Sequence, residues 1–161
     1  MGTEEIVRYG AKVLSEPTKE VPEFNDEIKQ LLEHMYELLA EAKGAGLAAN
    51  QIGLSLRLFV YDDGSGPHAL INPKIIKKSG SQLGSEGCLS IPGLFGDVER
   101  ANVAVVTGMD ENGKKVKLTG TGYLARIFQH ETDHLDGKLF IDLADATSLH
   151  WVMPGQEDEE E

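Results

Sequence analysis

The chain has 161 residues, a formal net charge of −12 at pH 7, 40% hydrophobic residues and one cysteine. That length allows one domain with a sizeable core, and the negative balance argues against broad binding to nucleic acid or to an anionic membrane. A lone cysteine excludes an intrachain disulfide; with no signal-peptide pattern and no stretch apolar enough to span a bilayer, a cytoplasmic protein is expected.

Pro22 and Asn25-Asp26 precede Ile28, Leu31, Leu32, Met35, Tyr36 and Leu39, whose spacing predicts a first helix running to about Lys43. Gly44-Ala45-Gly46-Leu47-Ala48-Ala49-Asn50-Gln51-Ile52-Gly53 follows. It reads as a loop whose glycines permit close backbone approach and whose Gln51 offers an amide donor. It lacks the Lys-Ser/Thr of a phosphate-binding loop. Strands are expected at 56–61, 69–71, 75–78, 82–86, 102–109 and 114–119, with Asp110-Glu111-Asn112-Gly113 making a hairpin of the last two. Glu86-Gly87-Cys88-Leu89-Ser90-Ile91-Pro92 sets the cysteine in a tight glycine-containing turn.

Tyr123, Leu124, Ile127, Phe128 and Leu135 predict a second helix, with Thr121 as N-cap and Gly137 where a residue of positive φ would end it. The order helix, strands, helix indicates an α+β fold, with antiparallel β-sheets packed around this second helix.

That helix carries His130-Glu131-Thr132-Asp133-His134. Residues four apart share a helix face, so both imidazoles can reach one divalent cation, with the Glu131 carboxylate beside it as a base. A catalytic site of this kind normally has three protein ligands. A third histidine in the metzincin register is replaced by Phe140, and the downstream glutamates, Glu157 and Glu159 to Glu161, lie in an acidic run without helical pattern. Cys88 is the remaining candidate. His34, His68 and His150 are read as non-ligands, and Met35 and Tyr36 as packing residues.

Taken together, the glycine-rich segment with Gln51, the segment Glu86-Gly87-Cys88-Leu89-Ser90 and the segment Gln129-His130-Glu131-Thr132-Asp133-His134 resemble peptide deformylases, in the family's order and over about residues 6–142. The resemblance implies a metal-dependent hydrolase that removes the N-terminal formyl group from formyl-methionyl nascent peptides and releases formate. By the same resemblance Cys88, His130 and His134 bind the metal, and Glu131 carries the proton. The Gln51 side-chain amide joins the Leu89 backbone N–H at the developing oxyanion. Ala45, Gly46, Gly87, Tyr123 and Ile127 would line the groove and the methionine pocket, and an ion pair between Glu86 and Arg100 would hold the cysteine segment. The family's usual native metal is Fe(II), with zinc, nickel and cobalt forms also encountered; a thiolate and two imidazoles suit such ions better than magnesium or calcium.

The chain departs from the family's commoner pattern at Ala45 and Asn50, beside the expected substrate groove. The catalytic unit is expected to span residues 1–143. Residues 144–161 then form a C-terminal segment, in which Pro154-Gly155 and five consecutive acidic residues replace a long terminal helix. That tail is expected to be mobile, since it has nothing apolar to bury. The implied partners are N-formylmethionyl nascent peptides, with transient proximity to the ribosome and no direct contact with nucleic acid or membrane. Another metallopeptidase, or a catalytically silent relative that binds formyl peptides or metal, stays open as an alternative.

Overall fold

Asn25 opens the first helix, α1 (Asp26–Ala42), in the computed structural model, which describes residues 5–152. The Asn25 side chain accepts from the Ile28 N–H, and Asp26 and Glu27 put negative charge at the positive end of the helix dipole. Lys43, at φ 58°, closes the helix in the left-handed region with its N–H on the carbonyls of Leu39 and Ala40. This helix therefore starts and stops where the sequence indicates.

Eight strands follow, with a second long helix between the last two. They are β1 (Gly46–Ala48), β2 (Leu58–Asp62), β3 (Pro67–Ser79), β4 (Gln82–Cys88), β5 (Ile91–Arg100), β6 (Val103–Met109), β7 (Lys115–Thr121) and β8 (His150–Trp151); α2 spans Tyr123–Leu135. Two antiparallel sheets result, one of order β1-β2-β3-β6-β7 and one of order β4-β5-β8. Helix α2 packs against β1, β2, β3, β6 and β7 of the larger sheet and also touches β5. The α+β architecture around the His-Glu helix is thus observed.

Several expected boundaries are corrected. Residues 69–71 and 75–78 belong to one strand, β3, whose register shifts between Ile71 and Lys74 and again between Ile75 and Lys77. Asn72, at φ 54°, makes the irregularity that breaks the sequence pattern there. Strand β5 was not anticipated: it contains Pro92, Gly93 and Gly96, yet Ile91 and residues 95–100 pair with β4. Consequently Gly87 and Cys88 end a strand, and only Leu89 and Ser90 form the turn, with Cys88 opposite Ile91.

The supposed loop after α1 is β1 followed by a 3₁₀ turn over Ala49–Ile52. Thr121 is not the N-cap of α2. It ends β7, and Gly122, at φ 60°, makes the strand-to-helix turn, which needs a left-handed backbone rather than a side-chain acceptor. Gly137 has the expected positive φ, 82°, with its N–H on the His134 carbonyl.

The core has three parts. Leu32, Met35 and Leu38 of α1 pack with Leu47, Leu58, Val60 and Ile71. Ile127, Phe128 and Leu135 of α2 pack with Phe59, Leu70 and Val106. Cys88, Ile91, Val98, Leu139 and Phe140 form the third cluster, on which Ala144 and Leu149 lie. Residues 144–152 run against β5, with the Asp145 N–H on the Asp97 carbonyl (3.0 Å) and the Val152 N–H on the Gly93 carbonyl (2.7 Å). The acidic run from Glu157 to Glu161 lies outside the described residues. No helix among the described residues is long and apolar enough to cross a membrane.

Candidate active site

Helix α2 presents His130 and His134 on one face, their ring centroids 5.2 Å apart, and the end of β4 brings Cys88 to them. One donor atom from each of the three residues lies within 4.8 Å of the other two, and Cys88 Sγ is 3.1 Å from His134 Nε2. Cys88 and His134 are buried. Burial and the neighbouring charge of His130 push His134 well below the ordinary histidine range, whereas His130, despite burial, is raised above it by its contacts with Cys88 and Glu86. The His130 orientation is set from behind, where its Nδ1 meets Glu86 Oε1 at 2.8 Å and leaves Nε2 for the cluster. A thiolate and two imidazoles, gathered in a buried pocket with a carboxylate alongside, fit a divalent transition metal.

Glu86 is itself 2% exposed. Its carboxylate takes two hydrogen bonds from Arg100, Nε to Oε2 and Nη2 to Oε1, both 2.9 Å, and one from Arg126 Nη1 to Oε2 at 2.5 Å. Burial alone would raise the Glu86 carboxyl, but the hydrogen bonds from Arg100 and His130 and their charges outweigh it and hold it well below the usual carboxylate range. The anticipated pairing of Glu86 with Arg100 is present, and Arg100 extends it to Asp133 Oδ2 at 2.6 Å.

Glu131 follows His130 on α2 and is 4% exposed. Burial, opposed by the His130 charge, raises its carboxyl to about 7, and its Oε1 has no hydrogen-bond partner. Room for it comes from Gly46 of β1, where an added Cβ would lie 2.5 Å from Glu131 Oε2. A glycine is needed there for the backbone of β1 to approach the carboxylate. Gly87 is constrained in the same way, since a Cβ would meet the Phe95 ring at 2.6 Å.

Gln51 sits in the 3₁₀ turn with its Oε1 accepting from the Ala48 N–H at 2.9 Å. That bond fixes the amide so that Nε2 points to the cysteine, 3.2 Å from Ser90 Oγ and 3.6 Å from Cys88 Sγ. Ala45, Gly46, Gln51, Gly87, Leu89, His130 and Glu131 all border one cleft at Cys88. Ala45, Gly46, Tyr123 and Ile127 border the cavity next to it, with Ile127 buried and Tyr123 42% exposed at its rim. His34, His68 and His150 lie elsewhere, against Glu5, Glu111 and Phe95 respectively.

The roles of three residues were not foreseen from the sequence. Ser90 receives the Gln51 amide, and Asn50 Nδ2 donates to the His134 carbonyl at 2.7 Å, which ties the Gln51 segment to the end of α2. Arg126 carries the second guanidinium on Glu86. Its signal was an arginine inside the apolar stripe of a helix, between Ala125 and Ile127.

The polypeptide deformylase family model matches residues 3–149. A peptide deformylase of Pelotomaculum thermopropionicum is 51% identical over 89% of this chain and 93% of its own length. One of Dehalococcoides mccartyi is 44% identical over 100% of this chain and 98% of its own. Among solved structures, the peptide deformylase of Thermotoga maritima is similar at a TM-score of 0.85, with 41% identity over 87% of this chain and 96% of that one. The enzyme of Synechococcus elongatus in complex with actinonin also gives 0.85, with 43% identity over 87% of this chain and 78% of its own. With the family model covering nearly all of the chain and close relatives aligning end to end, this chain belongs to the polypeptide deformylase family.

Proposed function

We propose that Cys88, His130 and His134 hold one divalent cation, natively Fe(II), and that Glu131, Gln51 and Leu89 act on a formyl group beside it. The reaction is that of the family: hydrolysis of the N-terminal formyl group of nascent peptides, here formyl-methionyl chains, to formate and a free amine. The observation that carries the assignment of roles is the convergence of three ligand atoms within 4.8 Å of one another, with Cys88 and His130 bordering the cleft shared by Glu131 and Gln51. Zinc, nickel or cobalt fits the same donors.

Bound there, the cation supplies Lewis acidity to the formyl oxygen and to a water. Glu131 takes a proton from the attacking water and returns it to nitrogen as the C–N bond breaks; the water oxygen stays with formate. The Glu131 Oε1, buried and without a hydrogen-bond partner, is open to both halves of that transfer. The Gln51 amide, held by Ala48, and the Leu89 N–H are the two donors for the charge that develops on the formyl oxygen. Ala45, Gly46 and Gly87 offer the backbone along which the substrate lies, and Tyr123 and Ile127 offer walls for the methionine side chain. Residues 1–143 would hold all of these groups, and a chain cut after Pro154 would keep turnover. Such substrates bring the enzyme transiently near the ribosome, in the cytoplasm.

The deciding measurement is formate release from formyl-Met-Ala-Ser under anaerobic conditions, with metal analysis of the same sample. Glu131→Gln should retain the metal and lose roughly 10²–10⁴-fold in turnover, the range a general acid–base contributes. Loss of metal in that variant would contradict the role given to Glu131. A metallopeptidase using some other third ligand would keep its metal when Cys88 is replaced by alanine; the assignment made here requires that metal to be lost.

A further inference from the structure

We infer that Arg126 is a positioning residue for this reaction: it ties the methionine pocket to the orientation of His130 by adding a second guanidinium to Glu86 beside that of Arg100. The inference rests on the metal-site reading given above and extends it to a residue one turn before the first histidine.

The geometry is specific. Arg126 is 6% exposed, and its Nη1 lies 2.5 Å from Glu86 Oε2 and 3.1 Å from the Val98 carbonyl, with the Gly84 carbonyl at 3.4 Å. Its Nη2 donates to Gln82 Oε1 at 3.2 Å. One guanidinium therefore joins three positions of β4 and one of β5 to α2. Arg126 also borders the cavity shared by Ala45, Tyr123 and Ile127, so the group that fixes Glu86 is at the same time part of the pocket wall.

A buried guanidinium with four acceptors is more than a counter-charge. Arg100 already neutralises Glu86 with two bonds, and if charge were the whole requirement one arginine would serve. The fork from Arg100 and the single bond from Arg126 Nη1 together leave the carboxylate little freedom to rotate. Its other oxygen, Oε1, then has one place to meet His130 Nδ1, 2.8 Å away. Gly84 completes the arrangement from outside. A Cβ at that position would lie 2.8 Å from Arg126 Nη2, and its φ is not in the left-handed region, so what excludes a side chain there is the guanidinium.

Two variants approach this from opposite sides. Arg126→Lys keeps a positive charge but cannot reach Glu86, Val98 and Gln82 together, and Gly84→Ala keeps Arg126 while crowding its head group. Affinity for Ni(II) or Co(II) alone is measured by chelator competition on the metal-stripped protein, with KM for formyl-Met and formyl-norleucine tripeptides measured on the reloaded enzyme. Both variants should bind the ion about 10–100-fold more weakly, the usual effect of losing a group that orients a metal ligand. Both should also shift the Co(II) visible absorption and change the ratio of the two KM values. Wild-type affinity and spectra in both variants would overturn the inference and leave the metal site standing. A wild-type protein that takes up neither ion would overturn the metal reading itself, and this inference with it.

Discussion

Helix α1 buries Ile28, Leu32, Met35, Leu38 and Leu39 and turns its charged residues toward water, whereas α2 buries Arg126, Gln129, Glu131, Thr132 and His134 along with its apolar residues. The two are both amphipathic in sequence, yet the buried residues of α1 are all apolar apart from the Tyr36 hydroxyl. Several polar groups on α2 are accommodated by other elements: Glu86 meets Arg126 and His130, the Ala101 carbonyl meets Gln129, and Gly46 of β1 leaves the space beside Glu131. Burial of unpaired polar groups is costly, so the sheet of β4 and β5 is required to make α2 tolerable inside the protein. The difference separates two kinds of damage: a lesion in α1 lowers stability, and a lesion under α2 changes the site.

The largest effect on that contrast comes from Arg100→Ala. It leaves Glu86 and Asp133 buried or half-buried with one guanidinium fewer, and removing one partner of a buried ion pair typically costs about 3–5 kcal/mol. Urea unfolding should show that loss, and chelator competition should show weaker metal binding in the molecules that remain folded. Unchanged stability, metal affinity and turnover together would mean that Arg126 alone holds Glu86, and the dependence of α2 on paired charges would be less than the geometry indicates.

Leu32→Ala is the matching lesion in α1. Its side chain is 2% exposed in the cluster with Met35 and Leu58, and truncating a buried leucine costs about 2–5 kcal/mol. Activity per folded molecule and metal content should be those of the wild type. A fall in turnover at temperatures where the variant is fully folded would join the α1 core to the site and remove the contrast.

The same contrast explains how much the sequence disclosed. Helix α1 was legible at both ends because apolar spacing, the Asn25 cap and the Lys43 stop all express local physics, and the β6–β7 hairpin was legible from its Asn112-Gly113 turn. The cluster of Cys88, His130 and His134 was legible as residue types in motifs, and the Glu86–Arg100 pair through family resemblance. What remained hidden depended on tertiary contacts. Strand β5 is held by β4 despite Pro92 and two glycines, β3 runs through a bulge at Asn72, and Arg126 is buried only because Glu86, Val98 and Gln82 meet it there. No periodicity in α2 alone says that a charged residue on its apolar side will find four acceptors on β4 and β5.

A smaller test concerns the start of α1. Asn25→Ala removes the acceptor for the Ile28 N–H and should cost about 1 kcal/mol, the typical value of an N-cap. The loss should appear in thermal unfolding with no change in KM or kcat. Aspartate at the same position should restore stability, since it supplies the same acceptor and adds favourable charge at the helix N-terminus. An equal loss in both variants would show that Asn25 acts through some contact other than the cap.

The smallest effect at neutral pH lies on α1, at the one place where that helix behaves like α2. The Tyr36 hydroxyl is buried without a hydrogen-bond partner, and burial, followed by the carboxylates of Glu111, Asp110 and Glu33, raises the phenol to about 12. An unfolded tyrosine titrates near 10, so between those values the folded state keeps a proton that the unfolded state gives up. Stability from this group is therefore complete below about pH 10 and is lost as pH rises toward 12. Tyr36→Phe deletes an unpaired polar group and should leave the melting temperature at pH 7 unchanged or slightly higher. It should also flatten the decline in stability between pH 10 and 12 without abolishing it, because Tyr61 is raised to about 12 by burial and by Glu111 and keeps its own share. Leu32→Ala, which removes no titrating group, should instead shift the whole curve down in parallel. A Tyr36→Phe profile that falls as steeply as the wild type above pH 10 would place the alkaline sensitivity elsewhere. It would also leave α1 as a helix whose buried face is apolar throughout in its energetics, whatever atoms it contains.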